Sequence, residues 1–250
     1  MSLTITIDGK ACACEPGEYL LDVAERNGIK IPTLCGFRPS LRGRGCCRVC
    51  IVEVVERGRS KTVVSCIYPV ERECEVFTAN EKILRERGVI LALLVRQAPD
   101  SMMIKDMARL YPAPGLKRLE PRADGGLCVL CGLCVEACNS LGTGAIAAMS
   151  RGVEKEINTA YGEAAAACIG CRSCANMCPT HNILTIEDYD TFTIWDKTFE
   201  QAHCEVCGEV IGTVDAVKHA AEAAGEEPVF RCSNHRRKTI ADAFARSYAP

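Results

Sequence analysis

The chain has 250 residues, a formal net charge of −2 and 48% hydrophobic residues, so it can bury apolar cores and lacks the basic excess typical of nucleic-acid-binding proteins. Because such cores need no disulfide staples, its 19 cysteines indicate metal binding rather than a secreted disulfide scaffold. No signal-peptide pattern opens the sequence and no apolar run approaches the ~18 residues of a membrane span, so we expect a cytoplasmic protein with no membrane span.

The first segment predicts a small mixed domain. We expect strands over 3–7, 49–55 and 61–64 and a helix over 18–27. Asp8-Gly9 is a hairpin-turn signal after the first strand. This order, with a cysteine loop after the helix, is the one expected of a β-grasp ferredoxin domain, and we place that domain at residues 1–78.

Four cysteines in this domain are spaced as ligands of one iron–sulfur cluster. They are Cys35, Cys47, Cys50 and Cys66. The two-residue gap before Cys50 lets one turn of chain place two thiolates on one iron, which favours Cys47 over the adjacent Cys46. Arginines at positions 38, 42, 44 and 48 favour thiolates. The alternative interpretation is a basic surface loop with incidental cysteines.

The stretch IPTLCGFRPSLRGRGCCRVCIVEVVERGRSKTVVSCIYPV resembles a known [2Fe–2S] domain. It is shared by the large iron–sulfur subunit of respiratory complex I, the diaphorase small subunit of NAD-linked hydrogenases and the N-terminal region of [FeFe] hydrogenases. The resemblance implies that the four cysteines hold a [2Fe–2S] cluster. The long gap after Cys35 separates the chain from plant-type ferredoxins and the succinate dehydrogenase iron–sulfur subunit, whose gap is only about four residues.

A long helix is predicted over residues 80–97, largely buried and bridging two domains. In the families resembled, this helix leads into a His-x3-Cys-x2-Cys-x5-Cys motif that holds another [4Fe–4S] cluster. Gln97 and Ser101 stand where the histidine and first cysteine would be, and no cysteine lies between Cys74 and Cys128. We therefore expect that cluster to be absent and residues 79–120 to form a helical linker.

An internal repeat follows, LCVLCGLCVEACNS and ACIGCRSCANMCPT, each with C-x2-C-x2-C-x3-C spacing. In two-cluster ferredoxins the fourth cysteine of each run ligates the other cluster, which predicts two crossed sets. One is Cys128, Cys131, Cys134 and Cys178, and the other is Cys168, Cys171, Cys174 and Cys138. Gly132 and Gly170 are expected to leave room for the clusters. Zinc is disfavoured because crossed four-cysteine runs are unusual for it.

These runs indicate a bacterial-type 2×[4Fe–4S] ferredoxin domain at residues 121–192. Its order and spacing extend the resemblance to about residues 1–190. The resemblance implies an electron-transfer subunit docked to a catalytic partner that carries a flavin or a metal.

The remaining residues, 193–250, predict a small metal-binding ribbon. Cys204, Cys207, Cys232 and His235 form two pairs suited to a tetrahedral zinc site, with His203 as a competing ligand. An additional iron–sulfur cluster and an unmetallated cap are the alternatives. A helix is expected over 236–247. Cys12, Cys14, Cys74 and Cys46 are expected to be small buried residues.

The fold class is therefore α+β, and the cofactors expected are one [2Fe–2S] cluster, two [4Fe–4S] clusters and a structural zinc. No dinucleotide loop, phosphate loop or catalytic triad is recognisable, so catalysis is left to partners. We expect a subunit that relays electrons between a flavin-containing NAD(P)H module and a hydrogenase, formate dehydrogenase or bifurcating unit, with ferredoxin as a further partner. The alternatives are a freestanding ferredoxin-like carrier or redox sensor and, less well supported, a succinate dehydrogenase or fumarate reductase subunit.

Overall fold

The computed structural model describes residues 3–35, 45–111, 113, 121 and 123–247. The arginines at positions 38, 42 and 44 and the end of the predicted linker lie outside this part of the chain. The chain divides into two compact units. The first comprises residues 1–136 with 178–182, and the second comprises residues 137–177 with 183–250. Both contain helices and strands, so the expected mixed α+β class is confirmed.

The first unit is built on a five-stranded sheet with the order β2-β1-β7-β4-β5. Its strands and two smaller ones are β1 (Leu3–Ile7), β2 (Lys10–Cys14), β3 (Glu18–Tyr19), β4 (Ile51–Glu56), β5 (Arg59–Val64), β6 (Pro69–Val70) and β7 (Glu75–Phe77). β1 and β7 pair in parallel, and the other neighbours in the sheet are antiparallel. Helix α1 (Leu20–Arg26) buries Leu20, Leu21, Val23 and Ala24 in the core of the sheet.

Two further helices belong to this unit, α2 (Glu81–Gln97) and α3 (Met102–Leu110). Asn80 caps α2 by accepting a hydrogen bond from the backbone N–H of Ile83 at 2.9 Å. The prediction that α2 is largely buried is wrong, because it buries one stripe and leaves Leu84, Val89 and Leu93 at 39%, 37% and 48% exposure.

The rest of the chain contains short helices around the cysteine runs and a second sheet. The elements are α4 (Leu133–Ser140), β8 (Ile146–Met149), β9 (Glu156–Thr159), α5 (Ser173–Met177), β10 (Thr185–Glu187), β11 (Thr191–Ile194), β12 (Lys197–His203), β13 (Val210–Thr213), α6 (Val214–Ala224) and α7 (Ser233–Ser247). β10 to β13 form an antiparallel meander in chain order, and β8 pairs with β9. No helix in the described part of the chain is long and apolar enough to cross a membrane.

Candidate iron–sulfur and metal sites

The structure brings the four cysteines of the first motif together. Cys35, Cys47, Cys50 and Cys66 are all buried, and the Sγ atoms of Cys35 and Cys47 are 3.3 Å apart. Hydrogen bonding with Cys47, and then with Cys66, lowers the pKa of Cys35 to about 2, and the same contacts raise the pKa values of those two partners. The thiols therefore share protons as one group. Binding of a metal cluster would displace those protons.

Cys46 and Cys47 occupy different environments although they are adjacent. Cys47 is 2% exposed beside Cys35, whereas Cys46 is exposed. The prediction that Cys46 is buried is wrong, and Cys74 is only partly buried, while Cys12 and Cys14 are buried as expected.

Serine substitutions separate the two neighbours. We expect Cys47→Ser to lose the [2Fe–2S] absorption and electron paramagnetic resonance signals, because the buried thiolate beside Cys35 is removed. Cys46→Ser is the matched control and should retain both signals. Loss of the signals in the Cys46 variant with retention in the Cys47 variant would reverse the choice of ligand.

Arg87 of helix α2 holds the backbone around this group of thiols. Its side chain is 1% exposed and donates from Nε to the carbonyl oxygen of Val49 at 3.0 Å. Nη2 donates to the carbonyl oxygens of Ile51 at 2.7 Å and Thr78 at 3.0 Å. Burial lowers the pKa of Arg87, and nearby Tyr111 and Cys50 oppose that shift. A buried cation thus lies close to the thiolates that would carry the cluster's negative charge.

The first crossed set, Cys128, Cys131, Cys134 and Cys178, lies within the first unit. Burial raises the pKa of Cys131 to about 11 and that of Cys134 to about 12, and charges on Cys128 and Cys178 raise both in the same direction. The thiols of this set therefore influence one another's ionisation. A charge on Cys35 acts on Cys131 as well.

One apolar core connects this set with the thiols of the first motif. Its buried members are Leu34, Cys35, Cys47, Val49, Leu91, Ala98, Ile104, Val129, Cys131 and Leu133. Two candidate cluster sites therefore border the same dry region, with no third set of thiols among the described residues of that core.

Helices α2 and α3 occupy the stretch where related chains are expected to carry a histidine–cysteine cluster motif. Ser101 is 4% exposed and caps α3, accepting a hydrogen bond from the backbone N–H of Ile104 at 3.5 Å. Ile104 then packs into the shared core. A capping serine and an apolar helix face thus take the place of metal ligands.

The second crossed set, Cys138, Cys168, Cys171 and Cys174, lines a single cavity in the second unit. Thr143, Arg172, Ile194 and Trp195 contribute to the same wall. The backbone N–H of Ala145 donates to Cys138 Sγ at 3.2 Å. Backbone donors also face the first set, from Leu130 to Cys128 Sγ at 3.4 Å and from Asn182 to Cys178 Sγ at 3.3 Å.

The two cysteine runs of the internal repeat share the same backbone conformation. Leu130 and Gly170 occupy equivalent positions with φ of 54° and 65°, and Gly132 and Arg172 do so with φ of 79° and 64°. Left-handed residues turn successive backbone N–H groups toward one point, which suits an anionic centre. Gly170 lines the cavity of the second set, and a Cβ there would lie 2.8 Å from side-chain atoms of Phe199 and Thr213.

The residues of these sites fit iron–sulfur clusters. Thiols gather in fours, backbone N–H groups point at sulfur, and two residues that line the second cavity, Arg172 and Trp195, have buried N–H groups without a hydrogen-bond partner of normal geometry among the described residues. When bound, such clusters supply one-electron transfer. The chain's own residues hold the thiolates, exclude water and orient N–H dipoles toward the sulfurs.

The four C-terminal candidates also meet at one point. The ligand atoms of Cys204, Cys207, Cys232 and His235 all lie within 4.8 Å of one another. His235 Nδ1 is 3.2 Å from Cys232 Sγ and 3.5 Å from Cys204 Sγ. Cys207 Sγ is 3.9 Å from Cys232 Sγ, close to the roughly 3.8 Å edge of a tetrahedron with Zn–S bonds of about 2.3 Å. Backbone N–H groups lower the pKa of Cys204 to about 6.

His203 lies outside this group. Its ring is 4.4 Å from the ring of Tyr189, and its Nδ1 is 3.2 Å from the carbonyl oxygen of Gly208. The predicted competition between His203 and His235 is therefore resolved in favour of His235 as the residue beside the three thiols.

Comparison with known proteins identifies both cysteine-rich regions. Residues 1–81 match the family described as 2Fe-2S iron-sulfur cluster binding domain, and residues 127–182 match the 4Fe-4S dicluster domain. The chain joins a 2Fe-2S domain to a 4Fe-4S dicluster domain. The predicted resemblance to complex I and hydrogenase iron–sulfur subunits is confirmed by its relatives.

Two curated relatives illustrate this. The chain is 30% identical to NADP-reducing hydrogenase subunit HndD of Solidesulfovibrio fructosivorans, over 71% of this chain and 35% of that protein. It is 28% identical to the alpha subunit of NADPH-Fe(3+) oxidoreductase of Geobacter sulfurreducens, over 82% of this chain and 26% of the relative. The chain thus spans about a quarter to a third of their length.

A solved structure is also similar. A chain in the crystal structure of NAD+-reducing [NiFe]-hydrogenase in the H2-reduced state has a TM-score of 0.54 and 26% identity, covering 64% of this chain and 75% of that chain.

Proposed function

We propose that this chain is the iron–sulfur electron-transfer subunit of a cytoplasmic oxidoreductase complex. The observation that carries the proposal is the match of residues 1–81 and 127–182, which contain the three sets of four cysteines predicted from their spacing, to 2Fe-2S and 4Fe-4S dicluster domains. The ligands are Cys35, Cys47, Cys50 and Cys66 for a [2Fe–2S] cluster, with the two crossed sets holding one [4Fe–4S] cluster each. The first domain has the β-grasp fold over residues 1–78, and the dicluster domain spans 121–192.

Electrons pass between the first two clusters through the apolar core that contains Cys35, Cys47 and Cys131. The low polarity of this core supports the proposal, because little solvent has to reorganise when charge moves. Each cysteine run contributes its fourth thiolate to the cluster of the other run.

The C-terminal group holds structural zinc in a ribbon over residues 193–250. Four donor atoms within 4.8 Å of one another leave space for a single ion and not for a cube of four irons. This argues against the alternative of a fourth cluster.

A flavoprotein that reacts with NAD(P)H is the obligatory donor or acceptor, with a hydrogenase, formate dehydrogenase or bifurcating unit at the other end. Hydride transfer moves two electrons, whereas these clusters take one at a time, so a flavin must split the pair. The names of the relatives, which include NADP and NADPH, support this class of partner.

Mixing the cluster-loaded chain with NADH or NADPH under anaerobic conditions tests the proposal. We expect no bleaching of cluster absorbance by the chain alone and rapid bleaching after addition of its native flavoprotein. Dithionite is the control, because it should reduce the clusters directly. Rapid reduction by NAD(P)H without a flavoprotein would contradict the proposal, and purification of the native chain free of redox partners would favour the freestanding carrier.

A further inference from the structure

The turn between β11 and β12 contributes Trp195 to the wall of the cavity of the second crossed set. Trp195 and Asp196 form this two-residue turn with φ of 53° and 55°. Such turns favour asparagine and glycine, and a residue with a Cβ pays a penalty of about 1–2 kcal/mol in this conformation. A tryptophan at this position is therefore unusual, and its side chain lines the cavity beside Cys138, Cys168, Cys171 and Cys174.

The indole N–H of Trp195 is buried and forms no hydrogen bond of normal geometry among the described residues. Trp195 lines the same cavity as Cys174. Trp195 is the only tryptophan of the chain, so no other cluster site has an indole donor.

A cation lies two residues further along. Lys197 Nζ donates to the carbonyl oxygens of Cys168 at 2.6 Å and Ala166 at 3.2 Å, and it lies 4.7 Å from the ring centre of Phe199. Arg172 also lines the cavity, but its positive charge is neutralised by Glu187, whose Oε1 lies 2.7 Å from Arg172 Nη2. Lys197 forms no ion pair with a described carboxylate, and its ammonium group contacts the cavity wall at the carbonyl oxygen of Cys168.

We propose that this turn, through the indole N–H of Trp195 and the ammonium group of Lys197, raises the reduction potential of the cluster held by Cys138, Cys168, Cys171 and Cys174. The inference rests on the proposed function, because it requires that cluster. Reduction adds one negative charge, and hydrogen bonds and cations near the sulfurs stabilise the reduced form. A higher potential makes this cluster easier to reduce than it would be without the two groups.

Potentiometric titration of the full, cluster-loaded chain, followed by electron paramagnetic resonance, tests the proposal. Trp195→Phe keeps an aromatic ring and removes the N–H, and Lys197→Gln keeps a donor and removes the charge. Both should shift the midpoint potential of this cluster downward and leave the other two clusters unchanged. Lys197→Arg keeps the positive charge and should keep the midpoint potential of the native chain. Tyr161→Phe is the matched aromatic control, because the Tyr161 side chain is 93% exposed, and it should leave all three potentials unchanged.

Unchanged potentials in Trp195→Phe and Lys197→Gln, with normal iron content, would overturn the inference and leave the proposed function intact. An equal shift of all three clusters would also overturn it. A native chain without iron would refute the proposed function and the inference together. Tryptophan fluorescence gives a second measurement: emission should be quenched in the loaded chain and recover in Cys138→Ser, and quenching that persists there would contradict the placement of Trp195.

Discussion

Replacement of Arg87 by methionine should destabilise the first unit by about 3–5 kcal/mol and abolish or strongly reduce its [2Fe–2S] content. The guanidinium group is almost fully buried and donates three hydrogen bonds to carbonyl oxygens, two of which belong to Val49 and Ile51 beside Cys50. Hydrogen bonds from a charged donor contribute about 1.5–3 kcal/mol each, and methionine leaves all three carbonyl oxygens without that partner.

The loaded protein should lose more stability than the metal-free protein, because Arg87 also compensates the negative charge of the thiolates. The measurement is urea unfolding of both forms, together with the [2Fe–2S] signal. Arg85→Met is the matched control, because Arg85 is exposed on the same helix. This variant should change the free energy of unfolding of either form by less than about 0.5 kcal/mol and keep the [2Fe–2S] signal. Equal stability of the two variants would contradict the role given to Arg87.

Replacement of His235 by alanine should remove about one zinc ion per chain and unfold the C-terminal ribbon. Structural zinc contributes on the order of 10 kcal/mol in small domains, so loss of one of four ligands has a large effect. We expect the zinc content per chain to fall toward zero and proteases to cleave within residues 204–247, while the iron content stays unchanged.

His219→Ala is the control for this variant, because His219 is on α6 and its Nε2 is 2.8 Å from the carbonyl oxygen of Leu141. Zinc affinity should also weaken progressively as the pH falls below about 6, where protons compete with zinc for the Cys204 thiolate. Iron in place of zinc, or full zinc content in the His235 variant, would contradict the assignment.

The cysteine sites were predictable because thiolate spacing is a local property of the sequence. The gap between Cys47 and Cys50 and the repeated runs at 128–138 and 168–178 identify candidate ligands without knowledge of packing. The proximity of Cys35 to Cys131 was not predictable, because it depends on how α2 and α3 pack between them.

Residues that surround the sites carry no such signal. Arg87 reads as one of several charged residues of helix α2, and only the fold shows that it reaches the backbone of β4. The pair Trp195-Asp196 is not the asparagine–glycine type of sequence that predicts a turn with two left-handed residues. The meander β10–β13 and helix α3 were not predicted, since these segments are short and their pairing is set by tertiary contacts.

The central claim, that this chain holds three clusters for one-electron transfer, is tested most directly by counting iron, acid-labile sulfide and electrons in the anaerobically purified protein. We expect about ten iron atoms and about ten sulfides per chain, and reductive titration to about three electrons with one [2Fe–2S] and two [4Fe–4S] signals. A plateau near two irons, or a spectrum without a [2Fe–2S] signal, would contradict it.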